Sequence, residues 1–311
     1  MFPDSSRLVK SIVDGVPALR VVMSGSSALK LKDLSSESLA GRKQLLELYP
    51  LNLRERLQDP RLTVRTDHVR AFSATGTLGD MLVWGGFPAL TNLKDSQDKT
   101  GYLVEVVDSV LYRDLMGEVR QKDIALFKRL LVALARAIGS KVNTSKLGTA
   151  LELSRPTITR YLDLLQEASV IALLPGIDGQ GVVPKAQAKV YFLDNGILSM
   201  LLADDRVLEV RKPEDQSMLL ENFVVGELIK RYAYAGDRLT QLGYLWHQKG
   251  EIDLVAFRNG GIQHAWEVKL TDSQGGSRIT REALGGAPLD VVNLGNIAEF
   301  FMDDWGSKTL S

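Results

Sequence analysis

The sequence predicts a multidomain α/β protein in four parts. They are a small piece of parallel α/β sheet over residues 1–53, a helical segment over 54–120, a winged helix-turn-helix over 121–194 and a mixed α/β domain over 195–311. Three observations predict this. A strand–helix–strand pattern spans residues 19–49. Three helical patterns followed by two short strand patterns span 123–193. Two alternating apolar runs flank a glycine-containing turn at Asn259-Gly260-Gly261, which reads as a hairpin.

Taken in order, residues 6–13 suit a short amphipathic helix. The run Leu19-Arg20-Val21-Val22-Met23 reads as a buried strand that ends in Ser24-Gly25-Ser26-Ser27, where a helix begins. A second strand is expected over residues 44–49. Residues 50–120 read mostly as helix, broken by a turn at Trp84-Gly85-Gly86-Phe87-Pro88, with a long helix over 101–116. Next come helices over 124–138 and 144–151, and a third that starts at Ser154, a good N-cap, with Pro156 in its first turn. Ile158, Leu162 and Leu165 form its buried stripe. Residues 171–174 and 189–193 form the two wing strands. A helical pattern covers residues 219–228. Residues 290–294 suit a further strand, and 297–301 are short and apolar.

Composition narrows the chemistry. The 311 residues are 45% apolar and 24% charged, which is ordinary for a globular chain. The absence of cysteine excludes disulfides, thiolate metal sites and cysteine nucleophiles. His68, His247 and His264 are scattered, which disfavours a histidine-rich metal site. No apolar run has membrane-spanning length and no signal-peptide pattern opens the chain, so it is read as cytoplasmic with no membrane partner. Lys+Arg and Asp+Glu balance at 38 each, so nucleic-acid contact has to come from a local patch. Residues 121–194 supply one, with ten basic against six acidic side chains. In a helix-turn-helix the third helix meets base edges with its N-terminal residues, here Arg155, Thr157 and Arg160. The same module also serves in other proteins as a switch or packing unit.

The hairpin carries the chemistry. With a three-residue loop Arg258 pairs with Ile262, Asp253 faces Glu267 and Glu251 faces Lys269. Opposed Cβ atoms then lie about 4.5–5.5 Å apart. A two-residue loop slips the register by one and parts the two carboxylates. Asp253 and Glu267 together make a hard-oxygen site for Mg²⁺ or Mn²⁺. Lys269 points the same way, two residues beyond Glu267. A divalent ion with a lysine beside it suits phosphodiester hydrolysis. A surface hairpin with a Glu251–Lys269 cross-strand ion pair fits the same residues.

The Asp…Glu-x-Lys arrangement resembles the PD-(D/E)xK superfamily, the fold of restriction endonucleases and Holliday-junction resolvases, although Ile252 stands where proline is usual. That resemblance implies a further acidic residue from the preceding helix, with Glu221 as first choice and Glu227 in reserve. More of the chain resembles a bacterial and archaeal family of AAA-type ATPases with a C-terminal domain of unknown function. The matching stretches include Val21-Val22-Met23-Ser24-Gly25-Ser26-Ser27, Ser38-Leu39-Ala40-Gly41-Arg42, Tyr49-Pro50-Leu51, Gly85-Gly86-Phe87-Pro88, Leu111-Tyr112-Arg113-Asp114, Thr157-Ile158-Thr159-Arg160-Tyr161-Leu162, Lys189-Val190-Tyr191-Phe192-Leu193-Asp194-Asn195-Gly196 and Glu221-Asn222. The resemblance implies that Ser24 or Ser26 senses a γ-phosphate and that Arg42 acts as an arginine finger. No G-x-x-x-x-G-K-[ST] occurs in the chain. The resemblance therefore implies an N-terminally truncated ATPase whose phosphate loop lies before Met1, with ATP a cofactor only of a full-length form. Tyr191-Phe192-Leu193-Asp194 looks like a magnesium-binding strand, but Asn195-Gly196 follows it and Asp194 is read as structural.

Three functions follow as expectations. The first is a Mg²⁺-dependent enzyme acting on DNA held by the winged helix. The second is a regulatory ATPase relative whose nuclease-like part is an inactive interaction module for a partner protein or a second copy. The third is a non-functional remnant.

Overall fold

The computed structural model describes residues 11–12, 14–16, 19–22, 44, 46–58, 67–108, 119, 124–203, 213–247, 250–271 and 283–302, without the side chains of 67–75 and 213–214. Its order is helices α1 (Leu53–Leu57), α2 (Asp67–Trp84), a 3-10 turn (Pro88–Asn92), α3 (Ser96–Val106), α4 (Ile124–Ala135), α5 (Thr144–Leu151) and α6 (Arg155–Glu167). Strands β1 (Ile171–Leu174), β2 (Gly176–Asp178), β3 (Gly181–Val182) and β4 (Lys189–Phe192) follow, then α7 (Asn195–Leu202) and α8 (Pro213–Tyr234). The chain continues through β5 (Gln241–His247), β6 (Gly250–Arg258), β7 (Gly261–Val268), β8 (Leu289–Val292) and α9 (Ile297–Met302). The result is a mixed α/β fold.

The expected parallel unit at the start is not formed by the described residues. Residues 19–22 and 46–49 have no strand pairing, and Val22 and Leu48 are 91% and 93% exposed. An apolar run becomes a buried strand only when neighbouring strands satisfy its backbone and cover its faces, and none of the described strands does so. Residues 11–12 and 14–15 are helical. Tyr49, Pro50 and Leu51 are instead tied to the body of the molecule: the Leu51 amide donates to the Gly86 carbonyl at 2.8 Å, and Tyr49 meets Tyr234 edge-on. The helix expected over 101–116 starts earlier, at Ser96, where Asp95 caps it.

The helices from α4 to α6 lie close to the positions their periodicity predicts. Asn143 caps α5 and Ser154 caps α6, with its hydroxyl accepting from the Thr157 amide at 3.3 Å. Ile158, Leu162 and Leu165 are buried with Phe127, Leu130 and Leu131 of α4. β1 and β4 pair antiparallel, from Ile171↔Phe192 to Leu174↔Lys189. Between them the chain makes an excursion that periodicity did not reveal. β2 and β3 leave this ribbon and join a six-stranded sheet in the order β3-β2-β5-β6-β7-β8. β2 runs parallel to β5, and β7 runs parallel to β8, while β5, β6 and β7 are antiparallel.

Alternate residues of β6 and β7 enter two cores, as strand geometry requires. Leu254, Ala256, Trp266 and Val268 pack in the core that contains Leu220, Val224, Val225 and Leu228 of α8. Val255 and Ala265 join Ile177, Leu245, Ile252 and Leu284 in the other.

A buried polar network joins α2, α7 and α8. Asp194 caps α7, accepting from the Gly196 and Ile197 amides, and its second oxygen accepts from the Gly86 amide at 2.8 Å. Gly85 has φ +80°, and a Cβ there would come within 2.2 Å of the Asp194 carboxylate. Asn222 exchanges hydrogen bonds with the Phe192 backbone and donates to the Asn195 side chain. The stretches Gly85-Gly86, Asp194-Asn195-Gly196 and Glu221-Asn222 thus meet in one place, and Asp194 has the structural role expected of it.

Candidate functional site

The β6–β7 turn holds two residues, Asn259 and Gly260, both with positive φ (53° and 79°), and Arg258 pairs with Gly261. The three-residue loop and the Arg258–Ile262 pair are therefore not formed. Asn and Gly both tolerate the left-handed region that a tight two-residue hairpin turn requires. The expected slip is cancelled by a bulge. Phe257 pairs with Ile262 but Ala256 pairs with His264, so Gln263 is the extra residue. From there the pairs run Val255↔Ala265 and Leu254↔Trp266, which brings Asp253 level with Glu267 after all.

At that level the two strands part. The β6–β7 pairing ends at Leu254↔Trp266. β6 goes on with β5 through Ile252↔Leu245 and Glu251↔Trp246, while β7 goes on with β8 through Glu267↔Val291 and Val268↔Val292. A second irregularity sits here: Gly243↔Val255 and Leu245↔Ile252 leave Asp253 and Leu254 together opposite Tyr244. Asp253 extends one carboxylate oxygen into the gap and accepts from the Val268 amide at 2.8 Å. A bulge beside diverging strands re-aims a side chain without disturbing the rest of the ladder.

Charged groups gather around this gap. Lys269 lies 2.5 Å from the Glu267 carboxylate. Burial opposes the charge on Lys269, but Glu267, Asp253 and Glu221 outweigh it and raise its pKa, so it stands as an ammonium ion. Burial raises the Asp253 carboxyl, against the Val268 amide, Lys189 and Lys269, which lower it. Glu221, from α8, is likewise raised by burial and then by Asp253, while the Tyr191 hydroxyl donates to it at 2.8 Å. Gly139, with φ +68°, lies so close that a Cβ on it would sit 2.6 Å from the Glu221 carboxylate. Two elements of the helical half, the turn after α4 and strand β4, thus wall one side of the carboxylate cluster.

The Glu251–Lys269 cross-strand pair is not formed, because the strands have already separated at that level. Glu251 instead pairs with Lys141, which follows α4, and with Lys189 of β4 at 3.2 Å. Its pKa is lowered; burial works the other way, but the two lysines prevail. Glu227, the reserve choice for the helix acid, is engaged elsewhere. It accepts from the Leu53 amide at 2.7 Å and pairs with buried Lys230 at 3.1 Å.

On α6, Arg155 and Arg160 are exposed, and the Thr157 hydroxyl is 2.7 Å from that of Ser154. Ser24, Ser26 and Arg42 lie outside the described residues. Among the described residues no group of three or more His, Cys, Asp or Glu side chains is arranged to hold a metal ion, and no helix is long and apolar enough to cross a membrane. Sequence reasoning missed Gly139, Lys141, Lys189 and Tyr191. Lys189 and Tyr191 fall in a stretch already singled out for its resemblance, but no spacing rule links them to residues 221–269.

Comparison with known proteins fits this picture in part. Residues 1–57 match the family model described as an AAA domain, and residues 75–207 match one described as a domain of unknown function, DUF8612. An uncharacterised protein of Mycobacterium tuberculosis is 28% identical over 289 residues, covering 91% of this chain and 59% of its own length. Uncharacterised proteins of Haemophilus influenzae and Methanocaldococcus jannaschii are 29% and 25% identical, over 80% and 88% of this chain and 59% and 61% of their own. The chain thus spans about three fifths of the length of these relatives. No solved structure matches it. The match of residues 1–57 is to the AAA domain that the resemblance implied.

Proposed function

We propose that the chain cleaves phosphodiester bonds in DNA with the help of a divalent cation, at a PD-(D/E)xK-type site made of Asp253, Glu267, Lys269 and Glu221. One observation carries this reading: β6 and β7 diverge where Asp253 and Glu267 stand level, with Lys269 and Glu221 beside them. The donor set suits Mg²⁺ or Mn²⁺, since both candidate ligands are carboxylates. Magnesium usually takes only one or two of these and keeps several waters. The bound cation would supply an activated water and charge neutralisation at the phosphate.

The chain's own groups do the rest. Lys269, kept protonated by its acidic neighbours, holds a phosphate oxygen or orients water as a cation rather than removing a proton. Glu221, fixed by Tyr191, holds Asp253 in an acidic environment that favours cation uptake. The helix-turn-helix-like array with β1 and β4 is read as a winged helix. Exposed Arg155 and Arg160 on α6 would contact the duplex, and Thr157 chiefly stiffens the start of the helix.

The test is incubation of the whole chain with plasmid and branched DNA in Mg²⁺ or Mn²⁺. Cleavage by the wild type that falls at least about a hundredfold in Glu267→Ala supports the reading. Equal backgrounds from both proteins would falsify it.

A second reading has its own support. The 2.5 Å contact of Lys269 with Glu267, and the lack of a three-ligand group among the described residues, also suit a nuclease-shaped module that no longer cuts. With the AAA relation of residues 1–57, such a module would serve a regulatory ATPase as an interaction domain.

A further inference from the structure

We propose that Lys141 and Lys189 form a phosphate clamp for the DNA backbone beside the carboxylate cluster, and that the Glu251 carboxylate occupies this clamp in the free protein. The proposal rests on the phosphodiester reading above and adds residues from the helical half of the molecule to it.

The geometry is specific. The two oxygens of Glu251 are taken by different lysines, Oε1 by Lys141 and Oε2 by Lys189. Backbone pairing of Lys141 with Lys189 sets the two side chains next to each other. Both ammonium groups also lie over the Tyr244 ring, at 5.6 and 4.9 Å from its centre, which holds them together when no anion is present. Two ammonium groups that grip two oxygens of a carboxylate can grip two non-bridging oxygens of a phosphodiester in the same way.

The clamp also borders the cluster. The Lys189 charge acts on both Asp253 and Glu221, so a phosphate held by Lys189 lies next to the proposed cation site. Glu251 can leave from its exposed side, its side chain being 33% exposed and that of Lys141 37%, while Lys189, 8% exposed, keeps the Tyr244 ring and the charges of Asp253 and Glu221 beside it. Around the gap, the carboxylates of Glu221, Glu251, Asp253 and Glu267 outnumber the ammonium groups of Lys141, Lys189 and Lys269 by one. The patch repels a polyanion until a cation binds or Glu251 withdraws.

A purely structural tie between the two halves would make these ions redundant. β4 is already fastened to α8 by the Tyr191–Glu221 bond and by the paired bonds between Phe192 and Asn222. The partly exposed Lys141–Glu251 pair adds little to such a joint.

The experiment measures binding of a short fluorescent DNA duplex with a single-stranded overhang to the full chain, by anisotropy in Ca²⁺ buffer over a range of KCl. Glu251→Gln is expected to bind about fivefold tighter, the effect of removing one nearby like charge. Lys141→Gln is expected to bind more weakly, with its log K against log salt slope reduced by about one. If Glu251→Gln does not fold by circular dichroism, the slope of Lys141→Gln decides alone. An unchanged slope, or no binding by any folded variant, overturns the clamp. Cleavage in Mg²⁺ by the same proteins separates the two ideas. A wild type that cuts while the slope stays unchanged leaves the cleavage reading standing without the clamp. Shifted affinities without cutting leave the clamp standing without cleavage.

Discussion

Glu221 is half-buried, accepts from the Tyr191 hydroxyl with one oxygen and feels the charge of Asp253. Both carboxyls have pKa values raised above their ordinary 4.5 and 3.8, burial being the largest cause in each. In the window that opens at those ordinary values and closes at the raised folded ones, the folded chain binds more protons than the unfolded chain. These two groups therefore make stability fall as pH rises through that window. Glu221→Gln keeps an acceptor for Tyr191 and removes the charge. It is expected to raise stability at pH 7 by roughly 1 kcal/mol and to flatten the loss of stability with rising pH, read as urea midpoints of variant and wild type. A variant less stable than wild type at pH 7, with an equal slope, would contradict this account. The same carboxylates should respond to a cation. Addition of Mn²⁺ is expected to raise the melting temperature of the wild type and to leave that of a Glu267→Gln, Asp253→Asn double variant unmoved.

At the scale of elements, α7 depends on a carboxylate that also serves its neighbour. Asp194 accepts from the amides of Gly86, Gly196 and Ile197, and its pKa is nevertheless raised because burial outweighs those bonds. Asp194→Ala would strand these donors and remove the cap. The expected loss is about 3 kcal/mol or more, measured by denaturant unfolding, whereas a cap alone contributes about 1. The β6–β7 hairpin offers a sharper test. Gln263 is the residue that brings Asp253 and Glu267 level, and its own side chain does no chemistry in this account. Deleting Gln263 shifts residues 264–269 by one position and should abolish Mg²⁺-dependent cleavage. Gln263→Ala keeps the bulge and should retain cleavage within about twofold. Cleavage that survives the deletion would mean that the register does not assemble the site.

Across the whole molecule, the helices before β1 and the sheet after α7 share one hydrophobic core. Leu130, Leu131 and Tyr161 belong to the same cluster as Leu220, Leu254 and Trp266, and β2 and β3 extend the sheet from within the helical half. Separate melting of the two halves would break both connections. Tryptophan fluorescence, which reports on Trp84 in α2 as well as on Trp246 and Trp266 in the sheet, should therefore change together with far-ultraviolet circular dichroism in one transition. Two separated transitions would show that the halves are independent units. This joint also explains what could be read in advance. α5, α6, β1 and β4 carry their own caps, stripes and alternation, so local sequence marks them. Residues 19–22 and 46–49 are apolar enough for strands, yet pairing decides that state and the described residues provide none.

The candidate site divides along the same line. Residue types and spacing by themselves singled out Asp253, Glu267 and Lys269 as a set, on the expectation of a three-residue turn, and read Asp194 as structural and Ser154 as the start of a helix. The tertiary structure alone decided that a bulge restores the pairing after a two-residue turn, that Glu221 rather than Glu227 reaches Asp253, and that Gly139, Lys141, Lys189 and Tyr191 border the cluster. These contacts join residues some 30 to 110 positions apart. Packing of the core sets such distances, and no periodicity along the chain encodes them.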